Sequence, residues 1–320
     1  MSDVPAAPAP DKPNKIKVLL ELVKFEHSVF ALPYAYIGAV YGAASVSFAV
    51  PAIYPTPAPQ PTQWVTLANW PTWAALLWVT VAMVAARAVA FVINRAVDKE
   101  IDARNPRTAG RAIPAGHIKA WELWLFAVFM LAAYLHAVWQ LAPVTHWLWP
   151  IPLAMFLVYP YLKRFTPLAH FWLGICLGLG AVGGWIGVGA DPFSPAPWVL
   201  GAAVAIWTAG FDIIYATQDF ECDVRDGVHS VPADFGIARG LLVTRISHVA
   251  AVALFVLGGV LVAAGPAYYV GVLVAGILLA YENLIVKPDD MSRVNAAFFT
   301  INGFVAVVIL AGVLADRLIH

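Results

Sequence analysis

Long apolar stretches broken by short polar connections recur from residue 28 almost to the C-terminus. A helix needs roughly 20 such residues to cross about 30 Å of hydrocarbon. Nine stretches fit that pattern: 28–50, 72–93, 120–140, 146–162, 170–190, 196–217, 246–265, 267–286 and 296–315. The fourth is short for a span. The pattern predicts an all-α, polytopic membrane protein with nine transmembrane helices.

Composition agrees with lipid exposure. The 320 residues are 61% hydrophobic and 12% charged, about half the charge of an ordinary soluble domain. Residues 1–15, polar and rich in Pro and Ala, are expected to form a disordered cytosolic tail. That leaves 16–320 as one membrane domain. No removable targeting signal is expected, because the first apolar stretch is too long for a signal-peptide core. The connection 51–71 is Pro-rich and carries Trp64 and Trp70, residues suited to a membrane interface. Two cysteines, Cys176 and Cys222, indicate neither a disulfide framework nor a zinc site.

Net charge is zero, so no nucleic-acid partner is expected, but the placement of charge is uneven. Of the 19 basic residues, 17 precede the first stretch or follow the second, fourth, sixth and eighth, and the alternate connections hold none. The positive-inside rule then puts the N-terminus in the cytosol and the C-terminus outside, with an odd number of spans.

Two acidic groups stand out in this charge-poor chain, both on the expected cytosolic side. Asn94, Asp98 and Asp102 follow one another at intervals of four; Asp219, Asp223 and Asp226 fall at i, i+4 and i+7. Each set shares one helical face. Like charges at this spacing destabilise a helix by roughly 0.2–0.5 kcal/mol per pair, and more where the dielectric falls. A chain that does this twice needs a cation there. Oxygen-only ligands suit Mg²⁺, which keeps waters and binds substrate phosphates. Arg107 and Arg111 follow in a loop broken by Pro106, Gly110 and Pro114, and arginine forks suit phosphate oxygens.

This arrangement resembles the UbiA superfamily of intramembrane prenyltransferases. Its usual first signature is N-D-x-x-D-x-x-x-D, and nearly the whole chain takes part, including Tyr159-Pro160-Tyr161-Leu162-Lys163-Arg164. One departure is Arg95, which stands where the signature has an aspartate. The resemblance is closest to the 4-hydroxybenzoate polyprenyltransferase branch. Within it, Phe25-Glu26-His27, Asn94-Arg95, Asp102 to Thr108 and His229-Ser230 resemble the menaquinone-pathway (MqnP-like) subgroup, whose acceptor is a dihydroxynaphthoate. The implied fold surrounds a central cavity, in two pseudo-repeated halves of about four helices with a ninth appended.

The resemblance also implies roles. Asn94, Asp98, Asp102, Asp219 and Asp223 would hold Mg²⁺ against a polyprenyl diphosphate, the four aspartates forming the catalytic set. Arg107, Arg111, Lys163, Arg164 and Arg225 would bind the diphosphate. Phe91, Tyr159 and Trp185 are candidates to face an allylic cation through their rings.

Arg87 and Asp212 each lie seven residues before a motif, about two turns deeper on the same stripe. An intramembrane charge costs at least ~2.5 kcal/mol, so each needs a partner or a cavity. They are expected to face each other below the metal, with Arg87 near an acceptor carboxylate, or to form a structural ion pair. His27 is a further acceptor-side candidate, whereas His136, His146 and His170 read as structural. A different class, an ion-coupled secondary transporter, would place its binding groups near the midplane, and a sister enzyme would prenylate haem, chlorophyllide or a lipid glycerol.

Overall fold

A computed structural model describes residues 28–46, 63–66, 68–116 and 118–319. His27, the Phe25-Glu26-His27 segment and the 1–15 tail lie outside the described residues. No strand occurs among those described. The apolar helices are α1 (Ser28–Val46), α2 (Trp73–Val97), α3 (Ala120–Gln140), α4 (Pro150–Leu162), α5 (Ala169–Gly187), α6 (Pro195–Ala216), α7 (Ile237–Leu261), α8 (Pro266–Ile285) and α9 (Asn302–Ile319). Seven of the described helical segments are long and apolar enough to cross a bilayer, the last counted from Ala296; the Phe30–Val46 part of α1 and the 13-residue α4 are shorter.

Local chemistry sets the boundaries. Thr72 caps α2 by accepting a hydrogen bond from the Ala75 N–H at 3.1 Å. Prolines occupy the first turn of α4, α6 and α8, where the missing N–H costs nothing. Asp316 on α9 accepts from the Gly265 N–H at 2.9 Å and so pins the start of α8. Helix α7 begins at Ile237, nine residues before the expected stretch at 246. Arg239 and Arg245 had marked that segment as a loop, yet both ride the exposed face of the helix.

The helices close into a ring. Helix α5 packs between α1 and α6, α6 meets α7, α7 meets α8, α8 meets α9, and α9 returns to α1. On the other side α2 lies against α1, α3 and α4, and α4 reaches α5. In lipid, such contacts depend on close backbone approach. A Cβ added at Gly184 would lie 1.9 Å from the Ala35 carbonyl of α1, and one at Gly174 would lie 2.1 Å from the Ala205 carbonyl of α6. No side chain fits at either position. Outward faces are apolar, with Leu125, Val128 and Phe129 on α3, and Val270, Leu273 and Ile277 on α8, all exposed. Together with the seven crossing helices, this makes the chain a multi-pass integral membrane protein.

The last residues of α2, α4 and α6 meet at one end of the ring. The His229 N–H donates to the Lys163 carbonyl at 2.7 Å, joining the segment after α6 to the segment after α4.

Candidate active site

At the first acidic turn, α2 ends at Val97, and Asp98 (φ −91°, ψ 5°) leaves helical geometry for one residue before Lys99–Arg104 resumes it. The Asp98 N–H still donates to the Asn94 carbonyl, and the Asp102 N–H to the Asp98 carbonyl. The expected four-residue column therefore survives the kink. Asp98 is 2% exposed and forms an ion pair with Lys163; Arg164 stands 3.9 Å from its other oxygen. Burial pushes the Asp98 carboxyl above its ordinary range, against the pull of Lys163. Asp102 is held on both oxygens, by Arg111 at 2.7 Å and Arg95 at 3.3 Å. The arginine in the signature's aspartate position thus neutralises the neighbouring carboxylate.

The second turn repeats the device. Helix α6 tightens into a 3₁₀ turn, Thr217–Asp219, and Asp219 (φ −100°, ψ 3°) opens a short helix, Phe220–Asp226, which Gly227 stops at φ 67°. Its cation comes from elsewhere. Arg107, in the loop after the first turn, pairs with Asp219 through two nitrogens and donates to the Tyr215 hydroxyl at 3.0 Å. Asn105 donates to Asp219 at 2.7 Å. Burial works against the Arg107 charge, and the bonds to Asp219 more than restore it, so its pKa rises. Asp223 accepts from the Ser230 hydroxyl at 3.1 Å. Asp226 departs from the expected column and turns to Arg225 at 3.1 Å and Arg104 at 4.0 Å.

Both turns line one cavity of about 670 Å³. Its mouth carries Asn94, Asp98, Asp102, Arg107, Arg111, Lys163, Asp219 and Asp223, while Phe30, Phe156, Leu173, Leu177, Phe211 and Phe298 line its apolar part. Among the described residues no three acidic, histidine or cysteine side chains converge enough to hold a metal alone; basic side chains are interleaved with them. Asn94 Oδ1 and Asp98 Oδ1 are nevertheless buried with no hydrogen-bond donor among the described residues. Two bare oxygens one helical turn apart fit a hard cation such as Mg²⁺.

Residues 61–304 match the UbiA prenyltransferase family. The chain belongs to that family. A 4-hydroxybenzoate octaprenyltransferase of Xanthomonas euvesicatoria is 33% identical over 265 residues, covering 76% of this chain and 84% of that one. An apo UbiA homolog from Aeropyrum pernix superposes with a TM-score of 0.76 at 31% identity, over 92% of this chain and 98% of that one. An Archaeoglobus fulgidus UbiA homolog bound to GPP and Mg²⁺ shares the fold, with a TM-score of 0.65 at 17% identity over 94% and 99% of the two chains.

This UbiA prenyltransferase gathers most of the expected side chains in the cavity. It leaves two at the rim. Arg164 donates to the Val97 carbonyl at 2.9 Å, and Arg225 is tied to Asp226 and the Arg104 carbonyl; neither lines the cavity. Arg87 and Asp212 both do, but they form no ion pair with each other. Asp212 bonds His170 at 2.7 Å, and the Arg87 guanidinium lies over the Phe91 ring at 5.1 Å. Of the aromatic candidates, Phe91 and Tyr159 line the cavity, whereas Trp185 is core-packed and bonds the Asp191 carbonyl. Asn105, Tyr215 and His170 are additions that the motifs did not mark as site residues. His136 packs edge-on to Trp78 and His146 stacks on Trp139, which suits structural roles.

Proposed function

We propose that this enzyme transfers a polyprenyl group from a polyprenyl diphosphate to an aromatic acid, 4-hydroxybenzoate or a dihydroxynaphthoate, in quinone biosynthesis. The observation that carries this is the pair of acidic turns lining one cavity, tied together by Arg107. The name of the Xanthomonas relative supports the acceptor class, and the GPP and Mg²⁺ bound to the Archaeoglobus homolog support the donor and the metal.

Asn94, Asp98, Asp102, Asp219 and Asp223 would hold Mg²⁺, which neutralises the diphosphate and eases its departure. Lys163, Arg107 and Arg111 now rest on carboxylates. When donor and cation arrive together, those basic groups turn to phosphate oxygens while the acidic groups take the metal. Each of the three basic groups thus exchanges one anionic partner for another, which limits the cost of moving a buried charge. Leaving-group charge is then met by fixed donors that need little reorganisation. The isoprenoid chain runs along the apolar wall, and Arg87, seven residues below Asn94, receives the acceptor carboxylate.

The same proposal covers topology. Thr145–Leu148 and α4 together span 145–162, about 27 Å at 1.5 Å per residue. With α1 they complete nine crossings, with the N-terminus and cavity mouth cytosolic and the C-terminus outside. The repeated aspartate break at 98 and 219 supports two related halves.

The test is incubation of membranes containing the enzyme with labelled polyprenyl diphosphate, Mg²⁺ and either acceptor, followed by mass analysis. A prenylated aromatic acid is expected. Transfer to neither acid, with transfer to haem, chlorophyllide or a lipid glycerol instead, contradicts the proposal.

A further inference from the structure

The carboxylates of the cavity fall into two groups. Asp98, Asp102 and Asp219 each meet a lysine or arginine. Asp212 and Asp223 have no such partner among the described residues; Asp223 sits at the mouth beside Asp219 on a serine hydroxyl. Asp212 lies seven residues before Asp219 on α6, about 10 Å deeper at 1.5 Å per residue. Leu173, Leu177 and Phe211 line the same cavity.

The partner of Asp212 is held in one state. The Val231 N–H can only donate, and it points to His170 Nε2 at 3.2 Å. That nitrogen is therefore the acceptor of the ring. The proton sits on Nδ1, which donates to Asp212 Oδ2 at 2.7 Å. Both ring nitrogens are engaged, and the imidazole is neutral. It stands on α5, which is locked to α6 by the close approach at Gly174. A neutral donor fixes the carboxylate without cancelling its charge. Among the described residues Oδ1 has no hydrogen-bond partner.

We infer that Asp212 is the base that removes the ring proton of the aromatic acceptor, and that His170 is the positioning residue that aims it. This rests on the transfer reaction proposed above. The C1–O bond of the donor breaks and its electron pair leaves with diphosphate. A ring carbon attacks C1, forming the C–C bond and placing positive charge on the ring. The C–H bond at that carbon then breaks, its electrons restore aromaticity, and the proton passes to Asp212 Oδ1. Asp98, Asp102 and Asp219 stay tied to Lys163, Arg111 and Arg107 at the mouth of the cavity. Removing a general base costs typically 10²–10⁴-fold.

The experiment uses purified full-length enzyme with geranyl diphosphate, Mg²⁺ and 4-hydroxybenzoate carrying either hydrogen or deuterium at the two ring carbons beside the hydroxyl. Asp212→Asn is expected to lose 10²–10⁴-fold in product formation and to acquire a primary isotope effect that is small in the wild type. Diphosphate release without acceptor stays near wild type, which shows that the fold and the ionising machinery are intact. His170→Leu shows the same isotope effect with a smaller loss. His170→Gln, whose amide can accept from Val231 and donate to Asp212, recovers part of the rate. Slow product formation by Asp212→Asn without an isotope effect, parallel loss of diphosphate release, or unchanged turnover each overturns the inference while the prenyl-transfer assignment stands. A wild type inert towards hydroxybenzoate overturns that acceptor class and the inference with it.

Discussion

The two acidic turns share a backbone device and differ in how their charge is met. At the first, Asp102 is neutralised by Arg95 and Arg111, only seven and nine residues away in the chain. At the second, Asp219 takes Asn105 and Arg107, more than 110 residues earlier. Asp102 thus draws its counter-charge from its own stretch of chain, and Asp219 borrows it from a distant one. The loop 105–111 serves both, with Arg111 facing back to Asp102 and Arg107 reaching across to Asp219. Two turns that draw arginines from one loop are expected to be coupled through that loop.

Deleting either turn's leading carboxylate should have the largest effect. Asp98→Ala and Asp219→Ala are each expected to lower Mg²⁺-dependent diphosphate release by about 10³-fold, the upper range for a single electrostatic group. If Asp219→Ala kept a tenth of the activity, the second turn would be an accessory. Arg107→Ala comes next, at about 10²-fold. Hydrogen exchange should rise across 219–226 and stay unchanged across 98–104, because the borrowed partner serves only the second turn. Arg107→Lys should fall between, since an ammonium cannot reproduce the two-nitrogen grip. Arg111→Ala should cost about tenfold, the low end for a charge-assisted hydrogen bond, as Arg95 still holds Asp102. Arg225→Ala should change turnover by no more than about twofold, as a surface substitution does. A hundredfold loss there would bring the rim into the site.

Much of this was legible in the sequence because the bilayer imposes a coarse rule. Apolar length alone located each stretch that became an apolar helix, and four-residue acidic spacing located both turns. Boundaries were less legible where charge and helix coexist. Helix α2 runs to Val97, four residues past its expected end, carrying Asn94 within the helix. Helix α7 begins early because exposed arginines cost nothing beyond the apolar zone. The side-chain pairing was least legible. His170 and Asp212 are 42 residues apart and Asn105 and Asp219 are 114 apart, so only packing of α5 on α6, and of the 105–111 loop across the mouth, brings them together. The ion-pair alternative for Arg87 and Asp212 is absent for the same reason, although both line the cavity. Equal depth on two helices does not fix which neighbour a carboxylate meets, and His170 on the adjoining helix was nearer to hand.

The decisive measurement is a double-mutant cycle across the two turns. Mg²⁺-dependent binding of a non-ionising geranyl thiodiphosphate would be titrated for the wild type, Asp98→Asn, Asp219→Asn and the double variant. If both turns grip one metal-bound diphosphate, the two losses should be non-additive by about 1 kcal/mol or more. Losses that add to within about 0.5 kcal/mol would mean that the turns act as separate sites, contradicting a shared one.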